Sequence, residues 1–241
     1  LPNVAASADV AICIGDQTQL SVSGADTYVW TPGADLDDET SVSPTFSGLS
    51  TTQFNVTGTD VNGCVNTDDV EVIVNPLPVV DAGFDEAICF GDVLQLEATG
   101  ATNYAWSPAS DLDNAAISNP IFSGGSTTTF TVTVTDDNGC VNTDEVTITV
   151  NQLPAVDAGV DQSMCEGESV QLTVVGIGSP IWFPGGSLSN PTISNPVATP
   201  TTTQEYVVRI TDAAGCLNTD TVVVTVMLKP TAVIIANLDA C

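Results

Sequence analysis

The residues of this chain best suited to do chemistry are its cysteines, and they stand on a lattice. They fall at Cys13, Cys64, Cys89, Cys140, Cys165, Cys216 and Cys241, with a long gap and a gap half as long in strict alternation. Regular thiols serve either a metal or oxidation. Zinc is disfavoured, because no Cys-x-x-Cys pair and no histidine accompanies them. Disulfides fit, and they place the chain in an oxidising compartment. Spacing leaves three pairings open: within a repeat (Cys13 to Cys64, Cys89 to Cys140, Cys165 to Cys216), between neighbouring repeats (Cys13 to Cys140, Cys89 to Cys216), or over the shorter gap across a linker, the least favoured. A bond closing a loop of about 51 residues contributes roughly 4 kcal/mol in the chain-entropy model.

Carboxylates are the second candidate. Asp81 and Asp85 lie near the start of one repeat and Asp136 and Asp137 in a turn near its end, while Asp157, Asp161 and Asp212 repeat the arrangement one period on. Brought together at a junction, these oxygens are candidate calcium ligands. Otherwise Asp136 and Asp212 cap a turn through their own backbone and the rest are solvated charge, the reading favoured here. No EF-hand spacing occurs, since Asp111-Leu112-Asp113-Asn114 lacks the glycine and the distal glutamate.

Composition excludes more. Thirty Asp and Glu against two basic residues give a formal charge of −28, with no histidine at all. A nucleic-acid backbone or an anionic lipid surface needs clustered Lys and Arg, so neither is an expected partner. A Ser-His-Asp triad, a Cys-His dyad and imidazole metal ligation are likewise excluded. Paired carboxylates abound, yet glycoside hydrolysis needs two of them flanking a cleft, for which a small repeated domain has little room. At 43% hydrophobic residues the chain folds rather than behaving as an acidic tail. The apolar stretch from Val222 to Leu228 is too short to span a bilayer, so no direct membrane insertion is expected.

The elements that must position these groups follow the same period. One constant step, the sum of the two cysteine gaps, links Trp30, Trp106 and Trp182; Gly63, Gly139 and Gly215; and Asn66-Thr67-Asp68 with Asn142-Thr143-Asp144 and Asn218-Thr219-Asp220. The expected organisation is three repeats, 1–76, 77–152 and 153–228, and the start of a fourth at 229–241. Within a repeat the pattern has period two. Thr129 to Thr135 alternates Thr with apolar residues, Asp136-Asp137-Asn138-Gly139 turns the chain, and Val146 to Val150 alternates again, which predicts a hairpin. Val93 to Thr99 reads as a strand with Leu94, Leu96 and Ala98 inward; Tyr104 to Trp106 reads as another, and Val79-Val80 as the start of a first. About seven short strands around one central Trp predict an all-β fold, a tandem array of small antiparallel sandwiches of immunoglobulin type. Trp30, Trp106 and Trp182 are then core residues and Tyr104 shares their face, which favours packing over a sugar-stacking platform. The outward row Thr129, Thr131, Thr133 and Thr135 is read as ordinary exposed-strand residues. Asn55-Val56-Thr57 matches an N-glycosylation sequon, and Asp220-Thr221-Val222 an O-glycosylation pattern.

Pro78-Val79-Val80-Asp81-Ala82-Gly83, Ile88-Cys89, Tyr104-Ala105-Trp106-Ser107-Pro108, Asn119-Pro120 and Thr127 through Cys140 together resemble the PKD-like and immunoglobulin-like repeats of large Bacteroidota surface proteins. That group includes gliding-motility adhesins and other cargo of type IX secretion. The resemblance implies an extracellular, cell-surface location and a role as a spacer, adhesin stalk or filament body. Neighbouring repeats of the same long chain are the expected partners, together with surface polysaccharide or other cell-surface proteins met by regions outside 1–241. Triplication itself argues for length, spacing or avidity rather than catalysis, so no enzyme activity is expected. A self-assembling filament or sheath subunit, and an accessory carbohydrate-binding module of a secreted hydrolase, are the alternatives.

Overall fold

In the computed structural model, which describes residues 1–230, every regular element is a β-strand. The chain divides into two compact units, one of Leu1–Glu86, Val93–Gly124 and Thr128–Ile148, the other of Ala87–Asp92, Gly125–Thr127 and Thr149–Cys241. This boundary runs through segment 77–152 rather than along its ends. Most of the expected fourth-repeat segment, with Cys241, lies outside the described residues.

Alternation of Thr with apolar residues produces the longest strands. Thr52–Thr59 pairs antiparallel with Val65–Asn75, from Thr52 opposite Val72 to Thr59 opposite Val65. The outer neighbours are Thr27–Thr31, antiparallel to Thr52–Thr59, and Val10–Cys13, which runs parallel to the end of Val65–Asn75. Four-stranded sheets of the same order recur with Asn103–Ser107, Thr128–Thr135, Val141–Asn151 and Glu86–Cys89, and with Ser179–Phe183, Gln204–Thr211, Leu217–Met227 and Gln162–Cys165. A short strand pair faces each: Thr18–Gln19 with Thr45–Phe46, Leu94–Gln95 with Ile121–Phe122, and Val170–Gln171 with Val197–Ala198.

Period-two alternation sends one face of each strand into a sandwich core. Phe54, Val56, Val70 and Val72 are buried against Leu20, Trp30 and Phe46. Trp30, Trp106 and Trp182 are 1%, 3% and 1% exposed, and each indole Nε1 donates to the carbonyl eleven residues on: Ser41 at 3.0 Å, Ile117 at 2.9 Å and Ile193 at 3.1 Å. The ring therefore fills the core while its one polar atom is satisfied. Phe46 and Phe54 meet edge to face at 5.6 Å between centroids, as do Phe122 and Phe130 at 5.3 Å. The third sandwich replaces this pair by Ala198 and Tyr206. Ser187 there takes the place of Asp35 and Asp111, and its hydroxyl lies 2.6 Å from the Tyr206 hydroxyl. That contact gives the buried Tyr206 hydroxyl the polar partner it needs.

Two expectations are corrected. Val79-Val80 forms no strand; Ala5–Ala6 pairs with Val22–Ser23 and Val156–Asp157 with Val175–Gly176, but the corresponding segment is reduced to one bridge, Asp81 to Thr99. Val93 to Thr99 is a regular strand only over Leu94–Gln95, although Leu96 and Ala98 are buried as expected. Pro120 and Ser118 interrupt its pairing, accepting from the Leu96 and Ala98 amides as single bonds, 2.9 and 2.7 Å long.

Candidate functional site: the cysteine joints

Each repeat presents two cysteines, on two different turns. The first closes a parallel edge strand: Cys13, Cys89 and Cys165 end Val10–Cys13, Glu86–Cys89 and Gln162–Cys165. Their carbonyls accept from Asp16, Asp92 and Glu168, all at 3.0 Å, around glycines at φ +95, +92 and +80°. The following amide anchors this turn to the long C-terminal strand, Ile14 donating to the Asn75 carbonyl, Phe90 to Asn151 and Glu166 to Met227, at 2.8, 2.8 and 2.9 Å.

The second cysteine sits at the exit of the hairpin turn. The Asp60 carboxylate accepts from the Asn62 and Cys64 amides, both at 2.9 Å. Asp136 accepts from Asn138 and Cys140 at 2.9 and 2.8 Å, and Asp212 from Ala214 and Cys216 at 2.9 Å each. A left-handed glycine, Gly63, Gly139 or Gly215, completes each turn.

Of the three pairings the sequence left open, the structure contains the one between repeats. Cys13 bonds Cys140 and Cys89 bonds Cys216, each pair 127 residues apart with a Cα separation of 5.5 Å, well inside disulfide range. Cys140 and Cys216 are fully buried, whereas the corresponding Cys64 is exposed and unbonded and Cys165 is half-buried and unbonded. The within-repeat pairs fail for a reason of dimension. Cys13 lies in register with Asn75 at the far end of the strand that Val65 begins just after Cys64. Ten residues of strand at about 3.3 Å each separate the two ends by about 33 Å.

The structure does not bring the expected calcium ligands together. Asp136 and Asp212 cap their turns, as above. Asp85 and Asp161 accept from the Thr147 and Val223 amides at 2.8 and 2.9 Å, and Asp81 and Asp157 from Gly83 and Gly159 at 2.9 and 2.8 Å. Asp137 accepts from the Thr102 hydroxyl at 3.1 Å. Among the described residues no group of three or more Asp, Glu, Cys or His side chains is arranged to hold a metal ion. The carboxylates are dispersed because each is committed to a separate backbone amide or hydroxyl.

Sequence reasoning noted the Asn-Thr-Asp triplet without giving it work. In the structure it clamps the start of each repeat. Asp68, Asp144 and Asp220 accept from the Ala6, Ala82 and Ala158 amides, all at 2.8 Å. Asn66, Asn142 and Asn218 donate to the carbonyls of Pro2, Pro78 and Pro154 at 3.0, 2.9 and 3.0 Å. Alternation puts Asn and Asp on one strand face, two residues apart, so they grip a segment that has too little regular pairing to hold itself. The Ala158 and Thr221 amides hold the Asp220 carboxyl below the usual carboxylate range. Identical spacing at invariant period was the signal available for this role.

A cleft of about 330 Å³ lies between Asp81–Phe84 and the Gln95–Glu97 segment and is also lined by Val146 and Ile148. It lies where the first strand of that repeat is missing. Tyr28 is buried and Tyr104 half-buried on the Trp face, while Thr129 bonds Thr147 and Thr131 bonds Glu145 across the outward face.

No protein-family model matches the sequence, and no curated protein matches it. Among solved structures, the N-terminal eight immunoglobulin domains of the Down syndrome cell adhesion molecule superpose with a TM-score of 0.51 at 14% identity, over 93% of this chain and 36% of that one. Titin domains I67–I69 give 0.49 at 12% identity over 95% and 98%, and the insect immune protein hemolin 0.36 at 16% over 94% and 76%. The first of these, with the sheet order above, defines the class: this chain is an all-β array of tandem immunoglobulin-like domains.

Proposed function

We propose that the chain is a non-enzymatic extracellular spacer, three repeats (1–76, 77–152 and 153–228) joined covalently to give length and rigidity to a large bacterial surface adhesin or filament. The observation that carries this reading is the pairing of Cys13 with Cys140 and Cys89 with Cys216. A bond inside a domain stabilises that domain; a bond from one repeat to the next also restricts the hinge between them. A catalytic or small-ligand protein has no use for such restriction at every joint, whereas a stalk does. Disulfides also require an oxidising location, which the cell exterior supplies. The resemblance to Bacteroidota surface repeats supports the bacterial assignment, and the high negative charge keeps neighbouring chains apart.

Small-angle scattering of the oxidised chain tests the reading. Eleven residues of strand span about 36 Å, so three repeats end to end reach about 110 Å and a radius of gyration of about 32 Å. A compact globule of this length has about 18 Å. The extended value, retained without broadening, is expected; the compact value overturns the spacer.

A further inference from the structure

The second repeat departs from its neighbours around the cleft between Asp81–Phe84 and the Gln95–Glu97 segment. The buried lining belongs to the period: Leu96 and Val146 match Leu20 and Val70 one period earlier and Leu172 and Val222 one period later. The exposed lining does not. Phe84 stands where the other repeats have Ala8 and Val160, Glu86 where they have Val10 and Gln162, and Glu97 where they have Ser21 and Thr173. The first-strand pairing of the other repeats, through Ala5–Ala6 and Val156–Asp157, is here the single bridge from Asp81 to Thr99. An opening and three side chains peculiar to this repeat therefore coincide.

Those side chains have no work inside the sandwich. Phe84 is 90% exposed, an apolar ring left in water. Asp81 is committed to the Gly83 amide at 2.9 Å, whereas among the described residues Glu86 and Glu97 accept no hydrogen bond through their carboxylates. The cleft's volume of about 330 Å³ falls at the low end for small-ligand pockets, about 300 to 1,000 Å³. Two free carboxylates and a ring beside an apolar wall select a cation that tolerates partial loss of water. An ammonium is strongly hydrated; a guanidinium is planar and weakly hydrated, stacks on aromatic faces and forks onto carboxylates. The chain makes such a stack itself, with the Arg209 Cζ 5.7 Å from the Phe183 ring centroid. A neutral sugar would ask for donors as well as acceptors, and the Gln95 amide already donates to the Asn119 carbonyl at 3.5 Å.

We propose that this cleft binds an arginine side chain presented by another protein, its guanidinium stacked on Phe84 and paired with Glu86 and Glu97, its methylene stem against Leu96. The one arginine within 1–241 is Arg209, already stacked on Phe183, so the occupant comes from outside these residues. A net charge of −28 steers a basic partner toward the chain, and the cleft fixes one point of attachment. The site is independent of the spacer role.

The test follows amide NMR shifts of the isotope-labelled, oxidised chain during titration with the peptide acetyl-Gly-Arg-Gly amide, in about 0.15 M salt so that long-range attraction is screened. Saturable shifts are expected at Gly83, Phe84, Leu96 and Glu97. None is expected at Gly159, Val160, Leu172 and Thr173, which hold the same positions in the third repeat without the three side chains. The lysine counterpart of the peptide is expected to bind more weakly. Phe84→Ala and Glu97→Gln are each expected to weaken binding about fivefold, as the loss of one exposed cation–π or ion-pair contact does. Glu145→Gln, the same charge change on the outward sheet face of that repeat, is expected to leave binding unchanged. Phe84 and Glu97 are exposed, so folding is not at stake in either variant. No saturable shift at the cleft, equal shifts at the third-repeat positions, equal binding of the lysine peptide, or binding indifferent to Phe84→Ala overturns the proposal. Shifts at the cleft from methyl glucoside but not from the arginine peptide would give the cleft to a sugar and overturn it as well.

Discussion

Replacing Cys13 and Cys140 together by serine probes the joint directly. The bond closes a loop of 127 residues, for which the chain-entropy relation gives about 5 kcal/mol at 25 °C, with about 2 kcal/mol the low end for natural disulfides. With a guanidinium slope of about 4 kcal/mol per molar for a unit of this size, the midpoint falls by about 0.5 to 1.2 M. Each repeat carries one buried Trp, which makes the assay local. A chain retaining Trp30 alone and one retaining Trp106 alone, each with the other tryptophans changed to Phe, report the two linked repeats separately. With the bond present the two reporters are expected to share a midpoint; without it both midpoints fall and they diverge. A midpoint unchanged in the double variant, with reporters still coincident, refutes the claim that this bond holds the repeats together.

Trp182→Ala removes the central core ring and is expected to cost about 3 to 5 kcal/mol, read as lost cooperative unfolding of the third repeat. Gly24→Ala places a Cβ 1.9 Å from the Asn3 carbonyl oxygen at φ +95°, so a loss of about 1 to 3 kcal/mol in thermal or denaturant melts is expected. Asp220→Asn weakens the clamp on Ala158, at about 1 kcal/mol. Because the Asp220 carboxyl is held below its ordinary value in the folded chain, its contribution is complete above the unfolded value of about 3.9 and is lost as pH falls through the lower folded one; the melting difference between parent and variant should therefore shrink below about pH 4. Chelator is expected to leave the melting temperature unchanged, since the candidate calcium carboxylates are committed to separate backbone amides and hydroxyls; a drop on adding EDTA would restore the metal reading.

The hairpin, the buried tryptophans and the turn-capping aspartates were legible in sequence because each is a local pattern repeated without interruption. Thr129 to Thr135 could alternate in no other way and bury Phe130, Val132 and Val134 together. The parallel edge strand Glu86–Cys89 was not legible: its partner lies some sixty residues on, and four residues carry too little periodicity to announce it. Val79-Val80 has strand-forming residues yet forms no strand, although Asn142 and Asp144 hold its neighbours Pro78 and Ala82 by the same clamp as in the two repeats where the segment does pair. The calcium grouping failed for a related reason, since proximity in turns said nothing about which amides the carboxylates would meet. Cysteine spacing left the pairing open, because it is decided by where one repeat meets the next, a relation that spans two periods.

Mass-spectrometric mapping of the oxidised chain, cleaved at its acidic residues without reduction, tests the central claim most directly. The account predicts linked peptides containing Cys13 with Cys140 and Cys89 with Cys216. Peptides joining Cys13 to Cys64 or Cys89 to Cys140 would contradict it.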